Sequence, residues 1–210
     1  IRQRFADHMI ITEESGLLAG KASHVWVIDP LDGTTNYAHN LPIFAVSIGY
    51  MQDGVMKLGV VYDPMRDECF SAERGQGAWL NNQPIHASTA ADLGDCLLVT
   101  GFPYGILNAR NNNLEYFRRF SLKSQAVRRL GSAALDLCYL AAGRFDGYWE
   151  ISLKPYDIAA GSLILTEAGG IITDLQGGPT YMELPCALVA AGTPAVHAQM
   201  LAGVREELPA

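Results

Sequence analysis

Positive charge is scarce in this sequence: 15 Lys plus Arg stand against 22 Asp plus Glu, a formal charge of −7. A net acidic surface repels polyanions, so the bulk electrostatics argue against nucleic acid or an anionic membrane as partner. Cysteine is sparse too. Cys69, Cys96, Cys138 and Cys186 stand singly, without a C-x-x-C pair or the density of a secreted disulfide framework, which points to reduced thiols in a cytoplasm. No apolar run reaches the roughly 18 residues of a membrane span, and no charged-then-apolar leader opens the chain. Internal repeats, low-complexity tracts and an obvious linker are also missing.

What is present is core-forming material. With 49% of its 210 residues apolar, the chain has enough to bury for one large domain or two small ones. Residues 1–20 offer a short helix end and then an apolar stretch interrupted by Glu13-Glu14-Ser15-Gly16. His24 to Asp29 reads as a buried strand stopped by Pro30. Between Phe44 and Ile85 strand patterns recur, separated by Asp53-Gly54 and Asp63-Pro64, which predict two-residue hairpin turns. Beyond about residue 90 short apolar strands (96–100, 125–128, 145–149 and 188–190) alternate with helical segments, an α/β pattern. Ser132 to Ala142 is expected as a helix with Ser first and Gly143 just past its end. Asp157 to Ala168 repeats the arrangement with Asp first and Gly169 last, and Pro194 to Glu206 closes the chain as a surface helix. The chain thus divides into residues 1–90, an antiparallel half, and residues 91–210, an α/β half, packed as one compact unit.

The densest chemistry lies in Asp29-Pro30-Leu31-Asp32-Gly33-Thr34-Thr35, where a buried strand runs out into a turn. Pro30 fixes one φ and Gly33 permits a sharp bend, so Asp29 and Asp32 can converge although they would face apart in a regular strand. Two adjacent carboxylates repel unless a cation lies between them. Oxygen ligands without His or Cys favour Mg²⁺, with Mn²⁺ as a substitute. The backbone N–H groups of Gly33, Thr34 and Thr35 then offer an anion cradle at the start of a helix. Taken alone, this heptad also fits a plain polar turn. Likewise Glu13 alone fits a solvated turn, Asp157 a helix cap and Glu150 a surface charge at a strand end. The five histidines show no ligand spacing, and Arg118-Arg119 and Arg128-Arg129 read as solvated or interface charges, with a role near a substrate or at a dimer contact as the sharper alternative.

The run from Trp26 to Tyr50, WVIDPLDGTTNYAHNLPIFAVSIGY, resembles the signature of the inositol monophosphatase family. Glu13-Glu14-Ser15-Gly16 upstream and Lys154-Pro155-Tyr156-Asp157 downstream, followed by Thr166-Glu167-Ala168-Gly169-Gly170, stand in the family's order. The stretch from Arg128 to Glu150 is most similar to the bacterial branch. The resemblance implies a layered αβαβα sandwich of mixed α+β and α/β character, of the inositol monophosphatase and fructose-1,6-bisphosphatase type.

The resemblance also implies roles. Glu13, Asp29, the Leu31 carbonyl, Asp32 and Asp157 match metal ligands, two or three Mg²⁺ in all. Glu13 and Thr34 match the residues that orient the attacking water. Asp32, Gly33, Thr34 and Asp157, with Gly131, Ser132, Ala133 and Glu150, match the substrate side. The implied reaction is hydrolysis of a phosphate monoester of a small polyol or sugar, foremost myo-inositol 1-phosphate. Relatives acting on fructose 1,6-bisphosphate, histidinol phosphate or phosphoadenosine phosphate are the alternatives, as is a binding role with the transcription machinery. A homodimer and inhibition by lithium are further implications. Tyr156 stands where the family has Trp. Family members begin with two helices ahead of the Glu13 block, and this chain, opening at Ile1, is expected to lack them. The sheet that they cover is then expected to expose an apolar face.

Overall fold

The computed structural model describes residues 1–14, 16–103 and 112–206; Ser15 of the Glu13 block lies outside the described residues. The first part of the chain runs β1 (His8–Thr12), β2 (Gly16–Leu18), β3 (Lys21–Asp32), a short α1 (Thr34–Ala38), β4 (Ala45–Gln52), β5 (Val55–Asp63), β6 (Glu68–Glu73), β7 (Ala78–Leu80) and β8 (Gln83–Ile85). These strands make one eight-stranded sheet in the order β2-β1-β3-β4-β5-β6-β7-β8, antiparallel except where β1 pairs with β3. The second part runs β9 (Leu97–Thr100), α2 (Leu114–Lys123), β10 (Ala126–Arg128), α3 (Ala133–Ala141), β11 (Gly147–Leu153), α4 (Pro155–Glu167), β12 (Ile171–Thr173), β13 (Cys186–Ala191) and α5 (Pro194–Arg205). Its five strands form a second sheet, β10-β9-β11-β13-β12.

The layering follows from which faces are apolar. Helices α3 and α4 are buried along nearly their whole length because they lie between the sheets, packing against each other, against β4 and β5, and against β11 and β12. The far side of the small sheet carries α2 and α5, sealed by Leu98, Phe120, Trp149, Val189 and Met200. The described residues therefore supply sheet, helices, sheet, helices of the layered sandwich that the sequence implies. Among the described residues no helix covers the outer face of the large sheet. Trp26, Tyr50 and Leu58 follow one another across β3, β4 and β5 on that face, and Leu58, Val60, Tyr62 and Trp79 are exposed there.

Close approach of α4 to the large sheet depends on glycine. Gly49 and Gly59 are cross-strand partners in β4 and β5. A Cβ on Gly59 would come within 2.7 Å of the Ala160 carbonyl oxygen, and one on Gly49 within 3.3 Å of the Ala159 Cβ. The pair forms a notch into which the α4 backbone settles, and the N-terminal turn of α4 carries Asp157.

Several local expectations change. Residues ahead of His8 form turns, and the apolar stretch after them is strand β1. Asp53-Gly54 does make a two-residue turn, both residues at positive φ (51° and 76°), as a primed hairpin turn requires. The loop after Asp63 is longer, since Asp63 pairs with Glu68. The Asp63 carboxylate accepts from the backbone N–H of Met65 and Arg66 and so stabilises the wider turn. The strand predicted over 145–149 runs instead from Gly147 to Leu153, which makes Glu150 a mid-strand residue rather than a strand-end charge. Arg119 is not solvated: it is buried and ties α2 to the end of α5 through the Gly203 carbonyl and Glu206. All four cysteines are free.

Candidate active site

The strand that carries the Asp29 motif does not stop at Pro30. β3 continues to Asp32, but its register against β4 slips: Asp29 faces Ser47 and Asp32 faces Ala45, three steps on one strand against two on the other. This is a β-bulge. It turns the odd spacing between the two aspartates into an even one, so both point inward and both are buried, at 1% and 8% exposure. Gly33 follows at φ 94°, with a Cβ position 2.9 Å from the Ile43 carbonyl oxygen. Any other side chain there would be both strained and crowded.

Each carboxylate is held by a different device. Asp29 Oδ1 accepts from the Leu31 N–H at 2.9 Å. Asp32 Oδ2 accepts from the Ser132 hydroxyl at 2.5 Å and from the Ala134 N–H at 2.8 Å. Ser132 is the N-cap of α3, as expected, and its oxygen also accepts from the Leu135 N–H. Asp157, expected first in its helix, is instead the third residue of α4, behind Lys154 and Pro155. Its Oδ2 reaches back to accept from the Lys154 N–H at 2.7 Å, the acidic half of a capping box.

These groups line one pocket of about 240 Å³ together with Glu13, Leu31, Gly33, Thr34, Gly131, Ser132, Ala133 and Glu150. Every residue that the sequence singles out for catalysis, metal or substrate thus borders a single cavity, drawn from the turn after β1, from β3, β11 and α4, and from the starts of α1 and α3. Thr34 Oγ1 donates to the Leu31 carbonyl at 3.0 Å. None of the histidines lines the pocket; His8, for example, accepts from Trp26 Nε1 on the outer sheet face.

The pocket is short of positive charge. Burial, followed by the charge of Asp32, pushes Asp29 up to about 7. Burial likewise raises Asp32 and Asp157 to about 7 each, against the hydrogen bonds that favour their charged forms. Glu150 is lifted to about 8, mainly by burial. Crowded oxygen donors without imidazole or thiol fit a hard divalent cation, which would relieve that repulsion. Among the described residues, no three His, Cys, Asp or Glu side chains are already gathered as a metal-holding cluster; the carboxylates face a shared cavity instead.

Some features lay beyond the sequence reading, and Arg129 takes the pocket side of the alternatives weighed for Arg128-Arg129. Arg129 and Lys154 line the same pocket and are its cationic side chains among the described residues. Asn36 Nδ2 donates to the carbonyls of Ile43 and Leu130, both at 2.8 Å, pinning the turn that carries Gly131 to the loop after α1. Tyr148 donates to Glu150 at 2.6 Å. Asp136, buried in α3 with its Oδ1 unpartnered, is held well above the usual carboxylate range by burial and then by Glu150 and Asp32. The capping pattern around Ser132 was readable, but nothing in it announced a partner as remote as Asp32.

Residues 1–209 match the model of the inositol monophosphatase family. A relative described as Nus factor SuhB, from Escherichia coli strain K12, is 50% identical over 99% of this chain and 78% of its own length. Among solved structures, inositol monophosphatase from Anabaena (Nostoc) superposes with a TM-score of 0.95 at 43% identity, covering 100% of this chain and 82% of the other. A structure described as inositol monophosphate bound SaIMPase-II superposes with a TM-score of 0.84 at 31% identity, over 96% of this chain and 77% of the other.

Proposed function

The chain belongs to the inositol monophosphatase family, and from that premise we propose that it is a Mg²⁺-dependent phosphatase acting on a phosphorylated polyol, with myo-inositol 1-phosphate as its foremost substrate. The observation that carries this reading is the single pocket joining four carboxylates, the 131–133 backbone and Glu150. The solved structure of a relative with inositol monophosphate bound supports the choice of substrate.

Glu13, Asp29, Asp32, Asp157 and the Leu31 carbonyl would hold the cation, with Mn²⁺ as a substitute. Bound there, it would supply positive charge against the dianionic ester and lower the pKa of nearby water, which a very slow reaction needs. The chain's own residues do the rest. The Thr34 hydroxyl donates a hydrogen bond to the Leu31 carbonyl, which orients its oxygen lone pairs to accept from an attacking water. Glu13 orients the same water; as the water oxygen bonds to phosphorus the ester P–O bond breaks, the water's proton passes to Glu13 and the leaving alkoxide is protonated from solvent. Backbone N–H groups of Gly33 and Thr34 cradle the phosphate, and Arg129 and Lys154 add local positive charge at the pocket wall. Gly131, Ser132, Ala133 and Glu150 hold the polyol through its hydroxyls, which disfavours esters lacking them. In this reading residues 1–90 carry most of the metal ligands, residues 91–210 carry the polyol side, and the active unit is a cytoplasmic homodimer inhibited by Li⁺.

A second reading is a binding role in the transcription machinery, favoured by the 50% identity to a protein described as Nus factor SuhB. The two readings separate in Asp32→Asn: an enzyme loses turnover, whereas a binding protein keeps its partner. The decisive assay measures phosphate release from inositol 1-phosphate, fructose 1,6-bisphosphate and phosphoadenosine phosphate, with and without Mg²⁺ and with added Li⁺. Mg²⁺-dependent, Li⁺-sensitive release with inositol 1-phosphate preferred is the expected result; another preferred ester would reassign the substrate, and no release from any would overturn the enzymatic reading.

A further inference from the structure

Among the described residues, Glu150 is the one acidic residue of the pocket placed on the small sheet, and its carboxylate is confined from two sides. Along β11, Tyr148 and Glu150 are two residues apart and so share a face. The fully buried Tyr148 donates its hydroxyl to Glu150 Oε2 at 2.6 Å. From the neighbouring strand end, Gly101 leaves open the space that the Glu150 carboxylate fills: a Cβ on Gly101 would overlap both carboxylate oxygens. Gly101 has no positive φ among the chain's glycines that do, so the reason for glycine there is room.

The Gly101 wall is itself fixed. Asn113 Nδ2 donates to the Gly101 carbonyl at 2.5 Å and to Thr100 Oγ1 at 2.9 Å, while Asn113 Oδ1 accepts from Trp149 Nε1 at 2.6 Å. Thr100 in turn donates to the Trp149 carbonyl at 2.6 Å. β9 and β11 are thereby locked together beside Glu150, and such satisfied buried networks hold a single geometry.

We propose that Tyr148 and Gly101 are positioning residues for Glu150, and that preference for polyhydroxylated phosphate esters over esters without hydroxyls depends on them. With Oε2 engaged by Tyr148, Oε1 is the atom left to accept from a substrate hydroxyl. Tyr148 does not border the pocket, so it acts through Glu150 alone. The proposal rests on the reading of Glu150 as the acceptor of a substrate hydroxyl.

The test compares kcat and KM for inositol 1-phosphate and for phenyl phosphate in the unaltered protein, Tyr148→Phe, Glu150→Ala and the double variant. The quantity to follow is the ratio of the two kcat/KM values. Loss of the hydrogen bond that orients Glu150 should lower that ratio about tenfold in Tyr148→Phe, through KM for inositol 1-phosphate. Glu150→Ala should lower it at least as far, and the double variant no further, because the two act through one interaction. A reduced ratio in Glu150→Ala with an unchanged one in Tyr148→Phe overturns the positioning role and leaves the Glu150 reading standing. An unchanged ratio in Glu150→Ala removes that reading and this proposal with it. Equal losses on both esters in Tyr148→Phe mark a structural effect and also overturn it. Gly101→Ala attacks the carboxylate from the other side and must lower the same ratio, which keeps the test decisive if Tyr148→Phe does not fold.

Discussion

The Ser132 hydroxyl donates to Asp32 Oδ2 at 2.5 Å, joining two residues 100 positions apart. One side chain caps α3 and closes the seam between the bulged end of β3 and that helix, at a carboxylate that lines the pocket. Ser132→Ala should lose the cap, worth about 1 kcal/mol, and leave a buried carboxylate one donor short. We expect about 2 kcal/mol of destabilisation in urea unfolding and a Mg²⁺ requirement for turnover raised about tenfold. Ser132→Thr should restore most of both. An Ala variant with unchanged midpoint and Mg²⁺ dependence would contradict the link.

Asn36 spends both amide protons on the Ile43 and Leu130 carbonyls. Asn36→Ala leaves those acceptors short, at a cost of about 2 kcal/mol. It also frees the turn at Gly131, whose φ of 84° is held beside the Asn36 amide. Calorimetric melting should show the lower stability, and KM for the preferred ester should rise more than kcat falls.

Gly59→Ala puts a methyl group against the α4 backbone, which cannot rotate away as a side chain would. Overpacking of this kind costs about 1–3 kcal/mol. Because α4 carries Asp157, metal affinity should fall along with stability. Val55→Ala, at an exposed position of the same strand, should have far less effect on either measurement.

His197 packs in α5 with Nε2 at 3.0 Å from Thr173 Oγ1. Burial, and then the charge of Arg205, hold its pKa below the usual imidazole value. The unfolded chain therefore takes up a proton that the folded chain refuses. The stability that follows is fully present above the unfolded pKa of about 6.5 and is lost as pH falls through the lower folded pKa. Melting temperatures between pH 8 and pH 5 should drop more in the unaltered protein than in His197→Gln; parallel curves would remove His197 from the acid response.

Much of the candidate site is written in local chemistry. Asp29, Asp32, Gly33 and Thr34 stand close enough for a strand end, a glycine and oxygen donors to be read together. Ser132 with Gly143, and the paired positive φ at Asp53 and Gly54, are likewise settled by a few adjacent dihedrals and capping atoms. The tertiary structure alone decided the rest. The bulge that aligns Asp29 with Asp32 exists only because β4 sets the register opposite it. Arg119 is buried only because α5 lies across it. The Glu150 carboxylate finds room beside Gly101 only because β9 pairs with β11. Backbone geometry and capping act over one turn and leave their mark in neighbouring residues, whereas register, burial and remote hydrogen bonds depend on which elements pack together.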